Sequence, residues 1–280
     1  LTFPLMNLAA AFGSLVGVGA ATLVSMRLGQ RDYETAQRIL GNVVVLNLII
    51  GISFGLLTLV FLDPILYFFG ASDATIGYAR EYMSVILWGN VVTHMYLGLN
   101  AVLRAAGHPR KAMYATILTV TINAILDPLF IFVFHMDVQG AALATVISQA
   151  VSAAFVLRFL TGRQTILHLK RRLLRLNWKL LAPCVALGLA PFIMQSTESL
   201  VSVCFSTSLR AAGGTLAVGT MTICSTLMQF ALLPLQGLSQ GAQPIISFNY
   251  GAKRPERVKA AFRILLISCL AFSAVLGLTC

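Results

Sequence analysis

Acidic side chains are scarce in this sequence: nine Asp and Glu among 280 residues, against 20 Lys and Arg. Charge of either sign makes up only 10% of the chain, and 58% is hydrophobic. A soluble domain carries roughly a quarter charged residues, so a water-surrounded fold is excluded and bilayer is the expected solvent. Cysteine is sparse and shows no pairing pattern. Cys184, Cys204, Cys224, Cys269 and Cys280 are odd in number, lie in apolar stretches and lack neighbouring His ligands. That argues against a disulfide framework and a structural metal site and leaves them as small packing hydrophobes. No run alternates polar and apolar residues at the ~10-residue spacing of an outer-membrane barrel. A nucleophile–base pair, a His/Glu metal motif and paired catalytic carboxylates are also missing, so an enzyme is not expected.

What the chain does contain is long apolar runs, over about 3–26, 39–62, 82–103, 113–134, 138–159, 180–209, 216–248 and 260–280. Each reaches the ~20 residues a helix needs to cross ~30 Å of hydrocarbon. The fold class is therefore an all-α integral membrane protein, a polytopic helical bundle.

The net charge of +11 suggests nucleic acid until its distribution is followed. Eighteen of the 20 basic residues fall in alternate loops, leaving Arg80 and Arg210 alone on the other side. This is the positive-inside pattern; it excludes a nucleic-acid partner and makes the basic loops cytoplasmic in a multi-pass protein of the plasma (inner) membrane.

The stretch Leu5–Glu34 returns without a gap at an offset of 222 residues as Leu227–Glu256. Leu5, Met6, Ala9, Gly19, Ala20, Ser25, Gly29 and Glu34 align with Leu227, Met228, Ala231, Gly241, Ala242, Ser247, Gly251 and Glu256. Duplicated membrane bundles are the usual build of secondary transporters. An even repeat of six helices relates the halves by a pseudo-two-fold axis along the membrane normal. The expected layout is an N-lobe over 1–160, a cytoplasmic amphipathic linker over 161–179, and the start of a C-lobe over 180–280. On this count one helix is expected before the first span and three after the last.

Two acids fall inside spans, Asp127 and Glu198. A carboxylate at membrane depth costs several kcal/mol unless paired, hydrated or protonated, which makes it a functional candidate. Asn123 lies one turn before Asp127 on the same helix face, and Pro128 removes a backbone donor beside them. Thr145 enters the next span to a similar depth, after the small residues of Gly140-Ala-Ala-Leu-Ala. Asn123, Asp127 and Thr145 form the expected coupling site for Na⁺ or H⁺, or else a polar brace between two helices. Glu198, with Gln195 nearly on its face, is the counterpart expected in the second half. A substrate cleft is expected to use Gln195, Gln229, Gln236, Gln240, Met194 and Met228, the span holding Pro234 and Pro244 as hinges. His94, midway through the third span, is read as a packing residue with a proton relay as the sharper alternative. Arg163–Lys179 alternates Ile166, Leu167, Leu169, Leu173, Leu174 and Trp178 with Lys170, Arg171, Arg172 and Arg175, which predicts an amphipathic interfacial helix.

Four strings in order resemble the multidrug and toxic compound extrusion (MATE) family, and in particular its MepA-like bacterial branch. They are Gly17-Val-Gly-Ala-Ala-Thr-Leu-Val-Ser-Met-Arg-Leu-Gly-Gln, Asn100-Ala-Val-Leu-Arg-Ala-Ala-Gly-His-Pro-Arg, Asn123-Ala-Ile-Leu-Asp-Pro-Leu-Phe-Ile-Phe and Gly237-Leu-Ser-Gln-Gly-Ala-Gln-Pro. The resemblance covers essentially the whole chain as family helices two to nine. It implies two six-helix lobes that alternate between outward- and inward-facing states. It further implies export of cationic amphipathic drugs against inward Na⁺ or H⁺ flow, by a monomer with no cofactor beyond the coupling ion. Asn123, Asp127 and Thr145 match the family's N-lobe ion site, and Glu198 its helix-seven glutamate. A lipid-linked precursor flippase of the same superfamily is the alternative; it would need a cleft lined by cationic side chains, which these spans do not supply.

Overall fold

A computed structural model of the chain describes residues 2–279 except Gly70, Ser72, Ala74, Arg163, Gln164 and Arg175. Within them the chain is helical almost throughout and has the spans of a polytopic membrane bundle. The helices are α1 (Phe3–Gly29), α2 (Tyr33–Val60), α3 (Leu62–Phe68), α4 (Ile76–Trp88), α5 (Asn90–Ala105), α6 (Pro109–Pro128), α7 (Asp137–Thr161), α8 (Trp178–Gly251) and α9 (Pro255–Thr279). Cys280 and the linker's Arg163 and Arg175 lie outside the described residues.

The helices depart from simple apolar runs where the backbone chemistry changes. The third span is a broken one: α4 and α5 meet at Gly89 with a 55° bend, and a side chain at Gly89 would run into Val146 of α7. The helix α8 carries both later spans, Trp178–Leu209 and Gly219–Gly251. They join at Gly214, whose φ of 65° breaks the helical geometry in a region that glycine enters without steric cost. The short α3 was not expected. Its signal is Asp63-Pro64 in the first turn, and Asp63 ties it to α4 by accepting two hydrogen bonds from Arg80, at 2.8 and 2.6 Å.

The linker is corrected by the structure. Instead of an amphipathic helix, its described residues form a strap with one 3₁₀ turn at Arg171–Leu173. Its apolar residues divide: Leu167 enters the core and Leu169 packs against it, while Ile166, Leu174 and Leu176 stay exposed. Leu167 is fully buried, Leu169 N–H donates back to the Leu160 carbonyl at 2.9 Å, and Gln37 of α2 donates to the Ile166 carbonyl at 3.0 Å. The Asn42 side chain then accepts from Asn177 N–H at 2.6 Å, and Asn177 caps α8 through Lys179 N–H.

The main core lies among α1, α2, α5, α6 and α7 with Leu167 of the strap and Cys184 of α8. A second cluster joins Leu5 of α1 to α3, α4 and Ala142 of α7. The second half of α8 and α9 leave large apolar side chains exposed, Leu227, Phe230, Phe262 and Ile264 among them.

The repeat is visible in the backbone. Arg31 and Lys253, 222 residues apart, both adopt left-handed backbone, with φ of 63° and 55°. Each closes the turn after the glycine that ends its span. The two copies also touch reciprocally. A methyl group at Gly29 would overlap the Phe248 carbonyl, and one at Gly251 would overlap the Met26 carbonyl. The offset pairs Gly29 with Gly251 and Met26 with Phe248, so this contact is isologous, as a two-fold relation requires. Gln243 donates to Thr22 earlier on both helices, so the copies run parallel. Gly19 and Gly188 make an equally close crossing between α1 and the first half of α8.

Two outcomes test these assignments. Gly251→Leu is expected to lower stability by about 1–3 kcal/mol through overpacking, whereas Gly77→Ala, where a methyl meets open space, is expected to be neutral or to gain up to about 1 kcal/mol; thermal unfolding followed by circular dichroism separates them. Asp32 caps α2 by accepting from Thr35 N–H at 3.1 Å. Hydrogen bonding with Thr35, aided by Arg27 and Arg38, holds its carboxyl below the usual carboxylate range. Its contribution is therefore present above the unfolded pKa of about 3.9 and lost as pH falls through the lower folded value. At neutral pH Asp32→Ala is expected to cost about 1 kcal/mol, and the gap from the wild type should close below about pH 4.

Candidate functional site

The helix α6 ends at Pro128 and passes into a π turn, Leu129–Val133. Proline supplies no N–H for the regular ladder, and π turns are frequent beside functional sites. One turn before this disruption, Asn123 Nδ2 donates to Asp127 Oδ1 at 3.2 Å and to Thr145 Oγ1 of α7 at 3.5 Å. Thr145 Oγ1 in turn donates to the Ala141 carbonyl at 3.0 Å. The Asn123 amide thus gives its hydrogens to both neighbours and keeps its own carbonyl oxygen as an acceptor. All three residues are half-buried. The Asp127 carboxylate and the Thr145 hydroxyl both face the Asn123 amide nitrogen; their oxygens are hard donors of the kind that suit Na⁺, and the carboxylate by itself can take a proton.

Small residues make the convergence possible. Gly140, Ala142, Ala144 and Ser148 of α7 and Ala112 and Ala115 of α6 are buried, so the helices approach closely and their polar groups meet. A second set of bonds continues the seam: Thr119 donates to Ser152 at 2.7 Å, and Ser152 donates to the Ala115 carbonyl at 3.0 Å. Tyr82 of α4 donates from its hydroxyl to Met6 Sδ of α1 at 3.6 Å. Sequence spacing gave no sign of this bond, which joins residues 76 apart.

The remaining candidates are placed elsewhere. Glu198 is exposed on the first half of α8, and among the described residues no hydrogen bond joins it to Asp127. Gln195, three residues earlier, is half-buried with Oε1 unpartnered, and Ser196 Oγ beside it is unpartnered too. Ser199, on the same helix, accepts from Asn7 of α1 at 3.0 Å. Met194 and Met228 are exposed, at 64% each; Gln236 is exposed and Gln229 half-buried. Gln240 is engaged: it accepts from Arg104 of α5 at 3.3 Å, and Arg104 also donates to Asn100 at 2.6 Å. Gln243 donates to Thr22 at 2.6 Å. These bonds between α8 and α1 or α5 were not foreseen, since nothing in single-span patterns pairs polar groups 136 or 221 residues apart. His94 is fully buried, with Nδ1 2.9 Å from the Asn90 carbonyl and Nε2 unpartnered.

The MatE family model matches residues 1–129 and 189–280, on both sides of the strap. The chain belongs to the MatE family. It is 29% identical over 275 residues to the multidrug export protein MepA of Staphylococcus haemolyticus, covering 98% of this chain and 60% of that protein. The chain therefore spans about three-fifths of the length of the curated relatives it matches. A solved multidrug resistance MATE family transporter of the MOP superfamily in its outward-facing conformation superposes with a TM-score of 0.89 at 26% identity, over 99% of this chain and 61% of that one. An inward-facing conformation of such a transporter gives 0.79 at 26% identity, over 98% and 63%.

The site generates a stability test. Asp127→Leu removes a carboxylate held in the bundle by one neighbouring amide, and it is expected to leave Tm in detergent unchanged or raised, because intramembrane carboxylates are retained at a cost. A brace between α6 and α7 would instead lose stability, by about 0.6–1.7 kcal/mol on the scale of interhelical hydrogen bonds, and Tm would fall.

Proposed function

We propose that this chain serves in secondary multidrug efflux, exporting cationic amphipathic compounds in exchange for Na⁺ or H⁺ by alternating access. The observation that carries the reading is the convergence of Asp127, Asn123 and Thr145 at the α6–α7 seam, in a chain whose relatives include multidrug export proteins. Asp127 takes the ion or proton; Asn123 orients the carboxylate, and Thr145 completes the oxygen set. Glu198 and Gln195 serve the second lobe, and Met194, Met228, Gln229 and Gln236 offer the adaptable, mildly polar lining that varied organic cations need. Gln240 belongs more to the closure between α5 and α8 than to the lining.

The two lobes are residues 1–160 and 180–280, joined by the strap at 161–179, with the basic ends in the cytoplasm. Close contacts between α1 and the second half of α8 gather at the basic end, at Gly29, Gly251 and the Thr22–Gln243 bond. Gly237 and Gly241, farther toward the opposite end, face open space. That arrangement, with the higher similarity to an outward-facing relative, favours an outward-facing state. Protonation or ion binding at the α6–α7 seam biases the arrangement of the bundle and, through it, the closure. Coupling then requires only that ion and drug differ in affinity for the two states.

Ethidium efflux from vesicles holding the full-length protein, under an imposed Na⁺ or pH gradient, tests this. Efflux should follow one gradient and fall at least tenfold in Asp127→Asn. Transport of neither ethidium nor other cations under either gradient, by folded protein, would favour a lipid-precursor flippase.

A further inference from the structure

The basic end of the bundle contains a cavity of about 400 Å³ that the ion site and drug cleft do not use. Its volume falls within the ~300–1,000 Å³ range of small-molecule pockets. It lies against the crossing of Gly29 and Phe248, both of which line it. Arg31 reaches it from the turn after α1, and Arg254 and Arg257 from the turn and helix after α8. Leu28 and Ile166 contribute apolar wall. Three arginines, Arg31 from the first copy of the repeat, Arg254 from the second and Arg257 just beyond it, therefore line one concavity.

No carboxylate lines it. The acids of the α1–α2 turn are committed elsewhere: Asp32 caps Thr35 and lies 3.8 Å from Arg27, and Glu34 pairs with Arg38. Glu256 precedes Arg257 without entering the lining. A positive-inside bias explains basic loops but does not require three arginines, with no ion pair to an acid among the described residues, to line one cavity. Guanidinium forks match phosphate oxygens in bidentate geometry.

We propose that this cavity binds a phosphate group, and that its occupant bridges α1 and α8 and holds the bundle closed at its basic end. The phosphate comes from an anionic phospholipid headgroup or from a soluble phosphate compound. Either one contacts Arg31 on one copy and Arg254 and Arg257 on the other, so it binds more tightly when Gly29 and Phe248 are in contact than when they part. That difference in affinity is the whole of its leverage. The regulatory consequence rests on the transport reading above; the binding itself does not.

The test uses full-length protein in nanodiscs, where both faces are accessible, without drug or ion gradient. In phosphatidylcholine discs, pyrophosphate is titrated by calorimetry; separately, Tm is compared between phosphatidylcholine and phosphatidylglycerol discs. Wild type is expected to respond in at least one arm, and the Arg254→Gln/Arg257→Gln protein to lose that response, with about tenfold weaker pyrophosphate binding or an abolished lipid shift. Arg31→Gln, on the other copy, should weaken the same response. Arg110→Gln/Lys111→Gln, on the same face outside the cavity, should keep it. A response to phosphatidylglycerol alone identifies the headgroup as the source, and a response to pyrophosphate identifies a soluble anion. No wild-type response in either arm, or an equal loss in the Arg110/Lys111 protein, overturns the proposal. Because no transport is measured, failed efflux would leave this result standing.

Discussion

The arrangement depends on how closely α1 can approach α8. At Gly19 and Gly188, and again at Gly29 and Gly251, the backbones come so near that an added methyl would overlap a carbonyl oxygen of the opposite helix. In a bilayer the surrounding lipid is as apolar as the helices, so burial of leucine gives no drive for association and close packing of small residues supplies it. Both crossings use α1, which also packs within the core against α2 and α5. One helix thus belongs to the interior of the first bundle and forms the contact with the second repeat.

That constraint explains which polar groups are paired across the bundle. Where backbones approach, short side chains can bridge directly, as Thr22 with Gln243 and Asn7 with Ser199 do. The α6–α7 seam obeys the same rule, with alanines and a glycine setting the separation at which Asn123 reaches Thr145. The difference is that the seam includes a carboxylate. Thr119 and Ser152 satisfy each other and the backbone, but Asp127 stands with an amide donor on one oxygen in a half-buried setting.

Much of this was legible because membrane composition and duplication leave strong marks. The apolar runs located every span, and the offset of 222 residues anticipated a relation that reappears as reciprocal contacts and matched left-handed turns at Arg31 and Lys253. The four-residue step from Asn123 to Asp127 and the matching depth of Thr145 placed three side chains that do meet. The sequence was silent where geometry depends on a break. Gly89 and Gly214 are two among 22 glycines, and nothing local marks them as the ones that bend a span. The strap misled for a related reason. Its apolar residues fit a helical stripe, but Leu167 is taken into the core, and burial there outweighs the regular hydrogen bonding a short helix would supply. The place of Glu198 in a site depends on partners that single-span patterns do not specify, and the residues described here leave it exposed.

The seam between the repeats is joined differently from the core. The core of α1, α2, α5, α6 and α7 interlocks large side chains such as Ile39, Leu40, Leu99 and Leu103, and each is held by many dispersion contacts. The crossing at Gly29 and Gly251 has no such side chains. Its attraction comes from backbone atoms at short range, which weakens steeply over about an ångström, and from a few hydrogen bonds that average about 0.6 kcal/mol each between membrane helices. The seam and the core are thus held differently, by short-range backbone contact with a few hydrogen bonds in the one and by interlocked side chains in the other.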